Sequence, residues 1–367
     1  MKNILVYPCD TEEAREINQA LGKLIHCTLF GVSGNNANLR TGAFVYRKYL
    51  GKLDEGLPDW SKRLQEIVRK HKIEMIYPAS VEAAELLMKH RDQLGVEILS
   101  APLQTIDVCR SEIETSKLLQ QTQGTPLGIS DGEYQVCCLT DRHGQLRFSS
   151  VLGREECDSH MNSIEKVSIE INARLVLRGA WSYQMQISGG LVTGLKIILG
   201  IVPEMAICRN NGANLAALTF FDRIGHEIEV RPSSIKVDAE AYLTYHYKID
   251  YDYDDVYMDL DDTVIVNERI NPVIIAFLFQ CRNEGKRVHL ITKHRYELNK
   301  TLENYKIDGL FDSIFWIKHS DEKYRYMKRE RAIFIDDAYS ERKKVAENLG
   351  IPAFEVSAVE CLIDWRL

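Results

Sequence analysis

The chain has 367 residues, of which 45% are hydrophobic and 27% charged, and its formal net charge is -7. That length predicts two or three domains, each with enough apolar material for its own core. The acidic balance excludes a nucleic-acid binder built on a basic stripe, and every long apolar stretch is broken by charge or glycine before it reaches transmembrane length.

The opening, MKNILVYPCD, carries too short an apolar run for a signal peptide. Asn3–Tyr7 reads as a buried parallel strand, followed by a turn at Cys9-Asp10-Thr11 and a helix from Glu12 that Asp10 or Thr11 can cap. Cys27–Val32 predicts a second strand, Trp60–His71 a helix, Ile73–Tyr77 a strand, Ser80–Leu94 a helix and Val96–Leu99 a short strand. This alternation predicts a parallel sheet with helices on its faces. A helix over 112–121 and a glycine-containing loop, GTPLGISDGE, come next.

The pattern then changes. Tyr134–Thr140 and Gln145–Ser149 flank the turn Asp141-Arg142-His143-Gly144 and predict a hairpin. Trp181–Ile187 and Leu195–Ile201 predict two more strands around Gly189 and Gly190, and a helix starts near Asn214. The nine cysteines are odd in number and form no C-x-x-C pair. Cys137 and Cys138 read as core residues, so a reduced, cytoplasmic protein is expected. Tyr245–Asp255 alternates aromatic and charged residues and reads as an exposed strand or linker.

From Asp255 the alternation returns. Strands are predicted to Leu260, then over Arg287–Thr292, Ser313–Ile317, Ala332–Asp336 and Ala353–Val356. Helices are predicted over Pro272–Asn283, Tyr296–Tyr305, Asp321–Lys328 and Ser340–Leu349, with a last one to Trp365. Three of these strands end in polar residues: Val256-Tyr257-Met258 runs into Asp259-Leu260-Asp261-Asp262-Thr263, Val288-His289-Leu290-Ile291 into Thr292, and Ala332-Ile333-Phe334-Ile335 into Asp336-Asp337. Ligands of open parallel sheets bind beyond the carboxyl ends of the strands, so these ends can converge. Gathered carboxylates repel one another, and a bound Mg²⁺ relieves that cost while neutralising a phosphoryl group.

On these residues the segment resembles the haloacid dehalogenase superfamily of phosphotransferases. The resemblance implies a Mg²⁺-dependent phosphatase with Asp259 as nucleophile and Asp261 as general acid and base, its backbone carbonyl also reaching the metal. Thr292 then holds the phosphoryl group, and Asp336 and Asp337 complete the metal site with Asp259 and Asp261. The lysine that the family requires falls on Lys323, with Lys318 as competitor. The intervals 264–291 and 293–322 are too short for an inserted cap, so an open site is expected. Lys293, His294 and Arg295 follow Thr292 and either meet an anionic substrate or form a solvated helix start.

The front of the chain resembles the ATP-grasp ligases, in particular those akin to the carbamoyl-phosphate synthase large chain. The cues are the opening strand, Ile76-Tyr77-Pro78-Ala79-Ser80-Val81-Glu82, Cys109-Arg110-Ser111, Glu133-Tyr134-Gln135-Val136 and Asp141-Arg142-His143-Gly144. Two departures stand out: most of the first lobe is absent, and the strand ending Gly200-Ile201-Val202-Pro203-Glu204 lacks the family's metal-binding acid. Glu170-Ile171-Asn172-Ala173-Arg174 carries the motif letters, but its periodicity fits helix and strand alike. No G-x-G-x-x-G or Walker loop is present.

The expected architecture is therefore α/β in three parts. A Rossmann-like parallel sheet occupies 1–111, a reduced α+β ATP-grasp-like domain 112–250, and a capless Rossmannoid domain of haloacid dehalogenase type 251–367. The expected function is hydrolysis of a small phosphorylated metabolite or nucleotide-like phosphomonoester, with the front domains binding or covering the substrate. No nucleic-acid or membrane partner is expected. The alternatives are a bifunctional carboxylate–amine ligase plus phosphatase, and a non-catalytic binding or assembly protein.

Overall fold

The computed structural model describes all residues except 36–40, 112, 113, 116, 118–129, 153–160, 234, 236 and 367. The chain divides into two compact units, Met1–Tyr242 together with Arg366, and Leu243–Trp365. Of the helix expected over 112–121, only 114, 115 and 117 are described, and these are helical; most of the loop after it lies outside the described residues. No helix among the described residues is long and apolar enough to cross a membrane.

The first unit opens with β1 (Lys2–Tyr7), α1 (Glu12–Leu21), β2 (Cys27–Ser33), α2 (Thr41–Val45), β3 (Tyr49–Lys52), α3 (Trp60–Lys70) and β4 (Met75–Pro78). It continues with α4 (Val81–Lys89), α5 (Arg91–Leu94), β5 (Glu97–Ile98) and α6 (Leu103–Arg110). The strands form a parallel sheet in the order β3-β2-β1-β4-β5. Thr11 and Ser80 cap α1 and α4, their hydroxyls accepting from Ala14 N and Ala83 N at 3.1 Å. The elements α2, β3 and α6 escaped sequence reasoning because each is short and lacks a clear period.

An antiparallel sheet follows, β6 (Gly132–Thr140), β7 (Leu146–Val151), β8 (Gly179–Ser188) and β9 (Leu191–Leu199), in the order β7-β6-β8-β9. Between β7 and β8 lies α7 (Met161–Arg174), and after β9 come α8 (Met205–Asn210) and α9 (Leu215–Arg223). One hydrophobic core runs from Ile4, Val6 and Ile17 of the parallel sheet and its helix to Cys137, Leu139, Ala180 and Phe220. The eight described cysteines are free thiols.

The stretch around Glu170 is helical. Ile164, Val167 and Ile171 recur at helical spacing and bury against Trp181 and Tyr183. A second contact fixes the start of β8: Gly179 has φ +75, and a Cβ there would stand 2.6 Å from Thr219 Cγ2 on α9. Gly179→Ala is therefore expected to destabilise this unit by about 2 kcal/mol or more, read by urea unfolding followed through Trp60 and Trp181.

The second unit contains β10 (Asp255–Met258), a small hairpin β11 (Ile265–Val266) and β12 (Arg269–Ile270), α10 (Pro272–Asn283), β13 (Arg287–Thr292), α11 (Leu298–Asn304) and β14 (Ser313–Trp316). It ends with β15 (Ala332–Ile335), α12 (Tyr339–Leu349) and β16 (Ala353–Phe354), and two 3-10 turns cover Lys323–Tyr326 and Val356–Leu362. Those turns stand where helices were expected, because neither segment carries an apolar stripe long enough for an α-helix. Asn271 caps α10, accepting from Val273 N at 3.1 Å, with Pro272 at its first position.

The five strands are parallel in the order β14-β13-β10-β15-β16. The chain runs outward from β10 through β13 to β14, then returns to β15 on the other side, so the sheet reverses direction at β10. Alternation along the strands sends Val256, Met258, Leu290 and Ile335 into one core and Tyr257, Ile291 and Phe334 into the other. At the amino end of β10, buried Asp255 accepts from Arg287 Nε at 2.7 Å and Nη2 at 2.6 Å, and pairs with His289 Nε2 at 2.9 Å and Lys328 Nζ at 3.1 Å.

Hydrogen bonding to Arg287, with His289 and Lys328 behind it, outweighs burial and holds the Asp255 carboxyl well below the usual carboxylate range. Its charged form thus stabilises the fold above the ordinary carboxylate pKa, and that stability is lost as pH falls through the lowered native value. Asp255→Asn is expected to cost about 2 kcal/mol at neutral pH. The deficit should shrink steadily in unfolding measurements carried below about pH 4.

Candidate active site

β15 ends level with β10, Ile335 facing Met258, and β13 runs two residues past Leu290, which also faces Met258, so Asp259, Thr292 and Asp336 gather in one crevice, as expected at a point where strand order reverses. The Asp259 N–H donates to Ile335 O at 3.0 Å, which ties the first loop to the neighbouring strand end. Asp262 takes φ 55, and Val264 N and Ile265 N both donate to Leu260 O at 2.9 Å. A left-handed residue is tolerated here because aspartate is short and polar. This turn buries Asp259 while leaving Asp261 half exposed.

Lys323 reaches the crevice from its 3-10 turn. Its ammonium is buried, 2.8 Å from Asp259 Oδ1 and 2.6 Å from Asp336 Oδ2. The other Asp336 oxygen accepts from Ala338 N at 2.8 Å. Asp337 is exposed, and its backbone N–H donates to the buried Thr263 hydroxyl at 3.2 Å. Arg342 of α12 donates to the carbonyls of Asp336 and Asp337 at 2.7 and 2.6 Å, fixing the loop that carries both acids.

Burial pushes the Asp259 carboxyl up, against the pull of Lys323. Asp336 is raised to about 6 by burial and by the Asp259 charge, again with Lys323 opposing. Lys323 is destabilised by its own burial, but the two carboxylates outweigh this and raise its pKa. One ammonium thus faces two carboxylates.

Asp259, Asp336 and Asp337 each offer a carboxylate oxygen within 4.8 Å of the others. Three hard anionic oxygens beside one cation are short of positive charge, and that donor set fits Mg²⁺. The Thr292 hydroxyl is wholly buried and meets no partner at hydrogen-bonding geometry, although it lies near enough to Asp259 to favour the charged carboxylate.

The structure therefore brings together Asp259, Thr292, Lys323, Asp336 and Asp337. Lys318 is exposed, and Lys323 occupies the site. Asp261, expected to reach the metal through its backbone carbonyl, has its side chain turned to His294 at 2.9 Å, outside the cluster of carboxylate oxygens. Lys293 donates to Glu341 at 2.8 Å and His294 is buried, so two of the three residues following Thr292 are already engaged; Arg295 is exposed. Sequence reasoning missed Thr263 and Arg342, for which no local pattern exists.

The front of the chain offers less. Glu170, Asn172 and Arg174 lie on α7 and not on a strand, and the Asn172 amide accepts from Thr140 Oγ1 at 2.6 Å and donates to Gly144 O at 2.9 Å. Asp141-Arg142-His143-Gly144 is turn chemistry. Asp141 accepts from His143 N and Gln145 N at 2.9 Å, and Arg142 donates to Asp222 O and His226 O at 3.2 and 2.7 Å.

No protein-family model matches the chain, and no curated protein does so either. Solved structures do match. A complete multifunctional pyruvate carboxylase from Rhizobium etli has a TM-score of 0.47 at 12% identity, covering 62% of this chain and 24% of that one. A single-chain, multi-domain long-chain acyl-CoA carboxylase scores 0.47 at 14%, covering 61% and 26%. A glycinamide-RNase-transformylase T from Mycobacterium tuberculosis scores 0.46 at 11%, covering 62% and 81%. The chain thus spans about a quarter of the length of either carboxylase. A likeness this loose carries neither their fold nor their activities over. The matched structures lend a phosphatase reading no support, and that reading rests on the geometry of the second unit.

Proposed function

We propose that the second unit is a Mg²⁺-dependent phosphatase acting on small phosphomonoesters. The observation that carries this is the meeting of Asp259, Asp336, Asp337 and buried Lys323 at the point where the sheet reverses direction. The set matches the chemistry of phosphoryl transfer, in which positioning and charge neutralisation dominate. Asp259, Asp336 and Asp337 would hold the ion, which when bound neutralises phosphoryl oxygens.

Asp259 attacks phosphorus, and the bond from phosphorus to the ester oxygen breaks. The departing alkoxide takes its proton from Asp261 and leaves as an alcohol. Asp261, now a carboxylate, accepts a proton from water as that water attacks the aspartyl phosphate, freeing inorganic phosphate and regenerating Asp259. Lys323 offsets the charge on Asp259 throughout, and the Thr292 hydroxyl donates to a phosphoryl oxygen. The direct test is phosphate release from a panel of phosphorylated metabolites with and without Mg²⁺. A panel that stays intact at every metal concentration would remove this reading.

A second reading keeps ATP chemistry in the first unit, as a carboxylate–amine ligase beside the phosphatase. The named activities of the matched structures lean this way, although their similarity is too low to argue from. The helical placement of Glu170 and Asn172 gives it no metal-binding strand end. Calorimetric titration of the full chain with MgATP decides it: tight binding lost on Glu170→Ala supports the ligase, and no heat of binding dismisses it.

A further inference from the structure

We infer that His294 is a positioning residue for the general acid and base, Asp261; this rests on the phosphatase reading above. Asp261 is the one member of the proposed catalytic set whose side chain is half exposed, at 51%. An exposed carboxylate samples several rotamers, and proton transfer requires one of them to be held. The holding group here is the His294 ring, only 7% exposed, whose Nδ1 lies 2.9 Å from one Asp261 oxygen and 3.0 Å from the other. A protonated Nδ1 would donate to either Asp261 oxygen, so the ring can hold the group both before and after it gives up its proton. Contact with both oxygens fixes the plane of the carboxylate as well as its distance.

The residue is itself held by three contacts. Its Nε2 meets Thr301 Oγ1 of α11 at 2.9 Å. The Trp316 indole N–H at the end of β14 donates to the His294 backbone carbonyl at 2.9 Å. The Tyr296 ring stands edge-on to the imidazole, with centroids 5.7 Å apart. A helix, a strand end and a neighbouring loop residue thus fix the backbone and ring of the residue that bonds Asp261. A histidine serving only to fill space would not need its proton aimed at a half-exposed acid from across the crevice.

The test uses the full-length chain with Mg²⁺ and compares His294→Ala with His294→Asn, whose side-chain amide places an N–H near the position of Nδ1. With an alkyl phosphate, whose leaving group needs a proton, His294→Ala should lower kcat by about 10- to 100-fold with KM little changed. His294→Asn should recover most of that loss. With an activated aryl phosphate, whose leaving group departs unprotonated, single-turnover phosphorylation of Asp259 should stay within about threefold of wild type, while hydrolysis of the phosphoenzyme slows.

Equal losses in the single-turnover phosphorylation rate on both substrates, tracking a fall in melting temperature, would reduce His294 to a structural residue, and so would failure of the asparagine rescue. A readout independent of turnover is the ¹⁵N NMR signal of the His294 ring. It should move on Asp261→Asn, and an unmoved signal overturns the proposal. Inactivity of the wild type on every phosphate would instead count against the phosphatase reading, with the NMR result still deciding the contact.

Discussion

Asp259→Asn is expected to lower Mg²⁺-dependent phosphate release by at least about four orders of magnitude while leaving the fold intact. Asparagine matches aspartate in size, and the backbone N–H of residue 259 still donates to Ile335 O, so the loop keeps its place. What disappears is the anionic oxygen that bonds to phosphorus; an amide has no comparable nucleophilicity. Removing the nucleophile of a covalent mechanism typically costs this much, the residue being what positioning and electrostatics contribute alone. The substitution also removes one of two carboxylates facing Lys323, so the metal-free protein should not be destabilised. Phosphate release measured beside urea unfolding separates the two effects. A variant that keeps a tenth of wild-type activity would sink the mechanism.

Lys323→Met should give the opposite pattern, a large stability loss in the absence of metal. Methionine fills similar volume, but two buried carboxylates, Asp259 and Asp336, are left without their cation. Breaking a buried ion network from one side costs about 3–5 kcal/mol. Burial already raises Asp336 to about 6, and without the lysine it rises further. A carboxyl whose native pKa exceeds its unfolded value takes up protons on folding, so its contribution to stability falls as pH rises through that window and recovers as pH is lowered. The deficit should therefore be larger at pH 8 than at pH 5. Added Mg²⁺ should restore part of it, since a bound cation supplies the missing charge. Urea unfolding followed through Trp316 and Trp365 measures both. A deficit that is flat in pH and indifferent to metal would show that the carboxylates are not held together as described. Turnover should fall as well, by about 10²-fold or more.

The strand ends of the second unit were legible because a strand buried on both faces writes itself as an unbroken apolar run. A charge at its end, as at Asp259 or Asp336, is then conspicuous. Lys323 was reachable for a related reason, being a lysine shortly before such a strand. The Asp261–His294 contact was not, because it joins two loops through the register of β10 and β13, which no local period encodes. Asp255 was hidden in the same way: its partners Arg287 and His289 lie on the neighbouring strand, and Lys328 follows the 3-10 turn. The stretch from Ile164 to Ile171 fitted two periods at once, and packing against Trp181 and Tyr183 settled it as helix.

The apolar interior shared by the parallel and antiparallel sheets of the first unit bears on how the chain can be divided. Phe220, Ala180 and Leu139 lie in the same oily interior as Ile4 and Ile17. Scissors applied near residue 111 would strip that layer from both halves at once, leaving each with a raw greasy face and an incentive to aggregate. A usable breakpoint instead follows Tyr242, where the first compact unit gives way to the second.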